Sequence, residues 1–188
     1  MGRPSISEQR RIEIGRALQV CMIKNGSYES TSVKDIAQQA GIATGLVHHY
    51  FASKDEILLL MADISLLSIT NFLDDLLHIK DQAQRQAKIH ELLSNQEQSQ
   101  FLLMLHTLAL SMPAIKALIV KNSQELQDSL AGRLRRRRSF EGDPEQMALE
   151  VVFLLQSAMF QCALEPMPCL EPILQRTLER ILPLSSQN

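Results

Sequence analysis

The chain has 188 residues, of which 45% are hydrophobic and 21% charged, and its formal net charge is -2. This hydrophobic share is typical of a soluble globular protein and argues against disorder. The length suits one or two domains. With no Trp, two Tyr and six Phe, aliphatic side chains must build that core. Such a mixture favours helix over strand.

Cysteine usage and the apolar segments indicate a cytoplasmic protein. Cys21, Cys162 and Cys169 are too few and too scattered for a disulfide framework, and no Cys/His cluster has zinc-ligand spacing. The first residues contain no apolar stretch of secretory type. The most apolar segment, residues 147–164, is interrupted by Glu150 and is too short and too polar for a membrane span. We therefore expect no metal, no cofactor and no membrane partner.

Three short amphipathic helices are predicted at the start of the chain. The first covers residues 8–24 and ends before Gly26, where a left-handed cap belongs. The second begins after Ser32, which fits a capping box with Asp35. The third runs from residue 43 or 44 to about residue 51.

A series of longer helices is predicted after this head. Ser53 is positioned to cap an apolar helix that extends to about Ile79, and Pro and Gly separate the helices that follow. These later helices are predicted at about residues 82–94, 98–111, 113–138, 144–163 and 169–182. Apolar and polar residues do not alternate with a period of two, as they would in a half-buried strand. The predicted fold is therefore all-α, with a three-helix head joined to a larger helical body.

Residues 32–51 have the pattern of a helix-turn-helix. Ile36, Ala37 and Val47 are positioned to pack where two short helices cross, and Gly41 can adopt the turn conformation that a larger residue resists. The second helix of such a unit can enter a DNA major groove. The segment therefore predicts a DNA-binding head.

Side chains on the third short helix, which is the second helix of this helix-turn-helix, have the chemistry for reading DNA. Thr44 offers a hydroxyl group, Leu46 can meet a thymine methyl group, and the imidazoles of His48 and His49 can donate to N7 or O6 of guanine. Lys54 supplies a positive charge for a phosphate oxygen. A solvated helix face or packing is the alternative interpretation of the two histidines, and the surrounding motif favours DNA reading.

One ordered string of residues in the head also matches a known pattern. The string is Thr31-Ser32-Val33-Lys34-Asp35-Ile36-Ala37, Ala40-Gly41-Ile42, Thr44-Gly45, His49-Tyr50-Phe51 and Ser53-Lys54. It resembles the DNA-binding domain of the TetR family of bacterial regulators over about residues 8–60, and beyond these residues only the family's layout matches. The resemblance implies a homodimeric, ligand-responsive transcriptional repressor that binds double-stranded DNA. It also implies a DNA-binding domain at residues 1–52 and an effector-binding and dimerisation domain at residues 53–188.

The resemblance, together with the chemistry above, gives a set of predicted DNA contacts. The set is Arg3, Thr31, Ser32, Lys34, Thr44, Gly45, Leu46, His48, His49, Tyr50 and Lys54. Lys54 falls where the family places a phosphate-contacting lysine, whereas His48 replaces the tyrosine commonly found at its position. Arg3 belongs to a tail that either enters a minor groove or is disordered.

A dimer interface is implied in the last two helices. The predicted residues are Val151, Leu155, Ala158, Ile173, Leu174, Leu178 and Ile181. Independently of the resemblance, the segment 144–163 is apolar over more than one face, so one face can pack in the core and another against a partner. The alternative is that both helices complete the core of a monomer.

The resemblance also implies an effector pocket within the body. The candidate lining residues are Met61, Phe72, Phe101, Met104, His106, Met112, Gln156 and Met159. This set suits a small apolar or amphipathic molecule with one or two polar contacts. Core packing is the alternative for each Met and Phe.

Three other interpretations stay open. The arginine run at residues 133 and 135–138 is typical of a solvated helix end, and binding of an anionic partner is its alternative. The protein could also be a DNA-bound structural or partner-regulated protein without an effector, or a redox sensor that uses Cys162 and Cys169. Because no catalytic constellation stands out, an enzyme is not predicted.

Overall fold

The computed structural model describes residues 5–136, 140–165 and 170–181, and the regular elements in these ranges are α-helices. They are α1 (Ile6–Asn25), α2 (Val33–Gln39), α3 (Thr44–Tyr50), α4 (Lys54–His78), α5 (Gln82–Ser94), α6 (Gln96–Leu108), α7 (Pro113–Arg135), α8 (Pro144–Leu164) and α9 (Leu170–Ile181). The all-α prediction is confirmed. The helices differ from those predicted mainly at their ends, where the last turn is hardest to place from sequence.

Side-chain caps define where the head helices begin. Ser5 and Glu8 form a capping box at α1, and Ser32 and Asp35 form the predicted box at α2. Ser53 caps α4 by accepting a hydrogen bond from a backbone N–H of the first turn. Each cap satisfies N–H groups that have no partner inside the helix.

These caps predict a loss of stability in acid. Hydrogen bonds lower the pKa of Glu8, chiefly through the Ser5 N–H, and the pKa of Asp35, chiefly through the Ser32 hydroxyl group. A carboxyl group whose pKa is lower in the folded state stabilises the fold above its unfolded pKa and loses that contribution as pH falls. We expect the free energy of unfolding, measured in urea, to decrease between about pH 5 and pH 3. Ser32→Ala should weaken this pH dependence, and an unchanged unfolding free energy across this range contradicts the prediction.

Two glycines turn the chain between the head helices. Gly26, the C-cap of α1, has φ of +79°, and Gly41, between α2 and α3, has φ of +67°. Residues other than glycine rarely adopt this left-handed backbone conformation. Both turns lie where the sequence predicts them.

One continuous apolar core joins the head to the body. Ile36 and Val47 of the head belong to the same buried cluster as Phe101 of the body. Helix α4 runs through this cluster, with Ile57 buried near its start and Leu76 near its end. Packed side chains along α4 therefore connect the body to the head.

Helices α4 and α8 are long and apolar enough, by length and composition alone, to cross a membrane. In the fold, 50% of the most apolar stretch of α4 and 44% of that of α8 are buried. Helix α8 packs against α6 and α7, and α4 packs against α1 and α7. The apolar faces of α4 and α8 thus pack against neighbouring helices, as those of core helices do.

Gly15 allows α1 to approach α4 closely. A Cβ atom added at Gly15 would lie 2.5 Å from both Cγ and Sδ of Met61, which is 3% exposed. Met61 therefore fills the crossing of α1 and α4.

We expect Gly15→Ala to destabilise the protein by about 1 to 3 kcal/mol, because the new methyl group overpacks this crossing. Gly132→Ala in α7 is the matched control, since its Cβ would meet only the Arg136 guanidinium, at 3.9 Å. The control should gain up to about 1 kcal/mol from helix propensity. Thermal unfolding of both variants gives the test, and equal gains in stability would rule out the close contact.

Two arginines of the run at the end of α7 form ion pairs with neighbouring helices. Arg133 pairs with Asp74 of α4 at 2.5 Å, and Arg135 pairs with Glu145 of α8. Arg136 is exposed, and residues 137–138 lie outside the described residues. The described arginines at 133 and 135 thus connect α7 to two neighbouring helices.

Candidate nucleic-acid interface and effector site

Helix α3 is anchored on one face and exposed on the other. Val47 and Phe51 are only 1% and 2% exposed and hold the helix against the head core. The predicted contacts Thr44, Gly45, Leu46, His48 and His49 are exposed. A short helix with this arrangement can be presented to a DNA groove as a rigid unit.

Aromatic packing orients the end of α3. The rings of His49 and Tyr50 meet edge to face, with their centroids 5.1 Å apart. Tyr50 is half-buried whereas His49 is exposed. The tyrosine therefore supports the imidazole of His49 at the helix surface.

The predicted contacts at the start of α2 differ in their availability. Thr31 is 1% exposed and its hydroxyl group donates to the Ser27 carbonyl at 2.9 Å. Ser32 is exposed but is engaged in the α2 capping box, and Lys34 is exposed. Arg3 lies outside the described residues. The side chain of Lys34 is thus presented to solvent, while the hydroxyl group of Thr31 is used inside the head.

Lys54 connects the loop before α2 to α4. Its Nζ atom donates to the carbonyl oxygens of Tyr28 and Thr31, each at 2.8 Å, and lies 3.9 Å from the centroid of the Tyr28 ring. The Tyr28 hydroxyl group in turn donates to Asp55. Two of the three amine hydrogens of Lys54 therefore bind backbone inside the head, and its predicted phosphate contact stays a prediction.

Arg11 links three parts of the head. It donates to the Tyr50 carbonyl at the end of α3 and, through Nη2, to Glu56 Oε1 at 2.8 Å, and its Cζ atom lies 4.1 Å from the centroid of the Phe51 ring. The Arg11 hydrogen bond, supported by the Ala52 N–H, lowers the pKa of Glu56. The sequence analysis missed this network because no local pattern pairs residues on α1 and α4.

The body contains a small cavity among α4, α6, α7 and α8. Its free volume is about 20 Å³, which is room for about one water molecule. Six aliphatic side chains that line it are Leu66, Ile69, Leu102, Leu126, Val152 and Leu155. The site is therefore largely apolar in the unliganded protein.

Of the eight predicted effector residues, three line this cavity. They are His106, Gln156 and Met159. The other five lie elsewhere in the protein: Met61, Phe72, Phe101, Met104 and Met112. Met61 packs against α1, and Phe101 is fully buried. The sequence pattern selects flexible and aromatic residues but does not separate core positions from cavity positions.

Most of the predicted dimer residues that can be placed face the protomer's own core. Val151, Leu155 and Ala158 are 1 to 2% exposed and Leu174 is 1% exposed, whereas Ile173 is 47% exposed. The side chains of Leu178 and Ile181 lie outside the described residues. The dimer interface stays a prediction, and it now rests on a different set of side chains.

Helix α8 exposes a second apolar face. Leu149, Phe153 and Leu164 are 41%, 59% and 72% exposed. Because α8 is apolar on several faces, its sequence could not distinguish the face buried in the protomer from the face left in solvent. Large exposed apolar side chains grouped on one helix mark a surface for protein contact.

The cysteines do not form a reactive pair in the described residues. Cys162 is 2% exposed, and Cys21 is also buried, with its pKa raised by that burial. Cys169 lies outside the described residues. Burial shields a thiol from oxidants, so Cys162 lacks the exposure that the redox hypothesis requires.

Comparison with known proteins identifies the head. A sequence profile described as "Bacterial regulatory proteins, tetR family" matches residues 22–61. The chain is 39% identical over 57 residues to the HTH-type transcriptional regulator HbdR from Aromatoleum sp. (strain CIB). That match covers 30% of this chain and 24% of HbdR, so the chain spans about a quarter of that relative's length.

Solved structures share the fold along nearly the whole chain. A TetR transcription regulator from Haloarcula marismortui has a TM-score of 0.72 at 19% identity, covering 93% of this chain and 97% of its own. A transcriptional regulator from Rhodococcus sp. Rha1 has a TM-score of 0.71 at 20% identity, covering 92% and 95%. The head of the chain thus matches the tetR family profile, and the helix-turn-helix head and helical body together have the fold of these solved regulators.

Proposed function

We propose that this protein is a cytoplasmic, sequence-specific transcriptional repressor that binds a pseudo-palindromic operator as a homodimer and is released by a small apolar or amphipathic effector. The observation that carries the proposal is α3, whose exposed face presents Thr44, His48 and His49 while Val47 is buried beneath it. In this proposal residues 1–52 bind DNA, and residues 53–188 bind the effector and the partner subunit.

DNA reading follows from the chemistry of the exposed face of α3. The two imidazoles can donate to guanine in the major groove, and Leu46 can contact a thymine methyl group. The exposed Lys34 at the start of α2 supplies a phosphate contact that fixes the orientation of the head.

Dimerisation is supported by the exposed apolar face of α8. Leu149, Phe153 and Leu164 on α8, with Ile173 on α9, supply the apolar side chains that a two-fold contact would bury. Two heads held by this contact would bind two half-sites, whose spacing is set by the dimer.

Effector response is supported by the path from the cavity to α3. Leu66 and Ile69 of α4 line the cavity, and α4 begins in the head at the Glu56 carboxylate that binds Arg11. Because the cavity holds only about one water molecule, a larger effector must displace the surrounding helices. The coupling required is on the order of 1 to 3 kcal/mol. A structural neighbour from Saccharomonospora viridis, described as a transcriptional regulator, was solved in complex with choline, which supports a ligand role for a body of this kind.

Selection of genomic DNA fragments by the purified protein tests the proposal. We expect the wild type to enrich a discrete inverted repeat, and a Thr44→Ala, His48→Ala, His49→Ala variant to recover none of it. The matched control is His78→Ala, His90→Ala, which removes two exposed histidines from body helices and should enrich the same repeat as the wild type. Equal enrichment by the α3 variant would overturn the role of α3.

We expect substitutions of Lys34 and Lys54 to have different effects on the salt dependence of DNA binding. Lys34→Gln should reduce the slope of log affinity against log salt concentration by about 2, without loss of thermal stability, because it removes one phosphate contact from each head of the dimer. Lys54→Gln should leave this slope unchanged and lower the melting temperature, because it removes two hydrogen bonds inside the head. A reduced slope with an unchanged melting temperature in Lys54→Gln would instead assign Lys54 to phosphate binding.

A further inference from the structure

The lining of the body cavity points to a ligand class. We infer that it binds an uncharged, mainly apolar molecule that carries a hydrogen-bond donor, such as a small phenol. This inference rests on the proposed function in treating the cavity as the effector site, and it adds the chemistry by which the effector is recognised.

The apolar part of the lining excludes charged ligands. Leu102, Val152, Leu155 and Met159 are 1 to 2% exposed, and the residues that line the cavity include no Asp, Glu, Lys or Arg. A carboxylate, phosphate or ammonium group in these surroundings would lose its hydration without gaining a counter-charge. The site therefore selects neutral molecules.

His106 contributes a hydrogen-bond acceptor. Its Nδ1 atom lies 2.8 Å from the Leu102 carbonyl oxygen, and because a carbonyl can only accept, Nδ1 carries the hydrogen. An imidazole that donates through Nδ1 can accept a hydrogen bond through Nε2. An edge-to-face contact with Phe160, with centroids 4.7 Å apart, holds the ring in place.

Two side-chain amides contribute further acceptors. The Gln156 amide donates to the Ser123 hydroxyl at 3.1 Å, and the Asn122 amide donates to the Thr70 hydroxyl at 3.4 Å. Each bond turns the amide nitrogen towards a neighbouring helix and leaves the amide oxygen to accept. Within the described part of the chain, neither oxygen has a donor among the hydrogen bonds of the structure.

Together these groups define which end of the ligand is polar. His106, Asn122 and Gln156 are half-buried, whereas the aliphatic lining is buried. Three half-buried side chains with acceptor atoms in the lining of an otherwise apolar cavity match a molecule that has an apolar part and one hydrogen-bond donor. Because Met159 is unbranched and flexible, its movement can enlarge the site for such a molecule.

A panel of para-substituted toluenes tests the inference on the full chain without DNA. The probes are p-cresol, the isosteric p-xylene, which lacks the donor, and p-toluate, which carries a charge. Calorimetric titration should show p-cresol binding at least tenfold more tightly than either of the others. Gln156→Leu should reduce the preference for p-cresol over p-xylene to less than threefold, whereas Gln124→Leu, the same change on the exposed face of α7, should leave it unchanged.

The outcomes separate this inference from the proposed function. Equal binding of p-cresol and p-xylene, tighter binding of p-toluate, or no binding of p-cresol would overturn the ligand class. In each of these cases, the selection of genomic fragments by the wild type and by the α3 variant still tests DNA binding. If p-cresol binds as expected but does not weaken DNA binding, the ligand class stands and the release of DNA by the effector fails.

Discussion

Phe153→Glu is expected to convert the protein from a dimer to a monomer and to weaken operator binding by at least about 100-fold. Phe153 is 59% exposed in the middle of the apolar face of α8, between Leu149 and Leu164. At a two-fold contact each protomer would contribute one glutamate, and both charges would be buried without partners. Loss of the second head removes the gain from bivalent binding, which is about 10² to 10⁴.

Sedimentation and DNA titration measure the two parts of this prediction. Leu110→Glu is the matched control, because Leu110 is 90% exposed near the end of α6, away from α8 in sequence. This control should stay dimeric and bind DNA as the wild type does. If Phe153→Glu sediments as a dimer, the interface lies elsewhere.

Arg11→Met is expected to weaken operator binding by about tenfold, which corresponds to about 1.4 kcal/mol, and to reduce its response to effector. The substitution leaves the Tyr50 carbonyl and the Glu56 carboxylate without the donor that joins the end of α3 to α4. We expect the free energy of unfolding to fall by about 1 to 3 kcal/mol, because the Tyr50 carbonyl group loses a hydrogen bond from a charged donor. The ion-pair part is small because the Arg11 side chain is 32% exposed.

Arg10→Met separates this role from a general loss of charge on α1. Arg10 forms an ion pair with Glu13 of the same helix at 2.7 Å, so its loss should leave DNA affinity and effector response nearly unchanged. DNA titrations with and without effector measure both variants. An Arg11→Met variant that keeps the wild-type response would show that α4 acts on α3 by another route.

Sequence was sufficient to predict features that depend on neighbouring residues. The capping box of Ser32 and Asp35, the turn at Gly41 and the start of α4 after Ser53 each follow from a few adjacent side chains. The exposed face of α3 also follows from local periodicity, because Val47 is its buried anchor. These features place the candidate DNA-binding surface.

Features that depend on distant packing could not be predicted in this way. Arg11 and Glu56 meet across 45 positions of sequence, and nothing near either residue indicates the contact. Helix α8 offers several apolar faces, and tertiary packing alone buries Val151 while leaving Phe153 in solvent. Lys54 has the charge of a phosphate contact, yet the fold brings two carbonyl oxygens to its amine.

Hydroxyl-radical footprinting on an enriched genomic fragment tests whether a dimer reads its operator through α3. We expect two protected patches related by two-fold symmetry, one helical turn of DNA or a multiple of it apart, that disappear together in the Thr44→Ala, His48→Ala, His49→Ala variant. Uniform protection that does not depend on DNA sequence, or protection that persists in this variant, would contradict a dimeric regulator that reads its operator through α3.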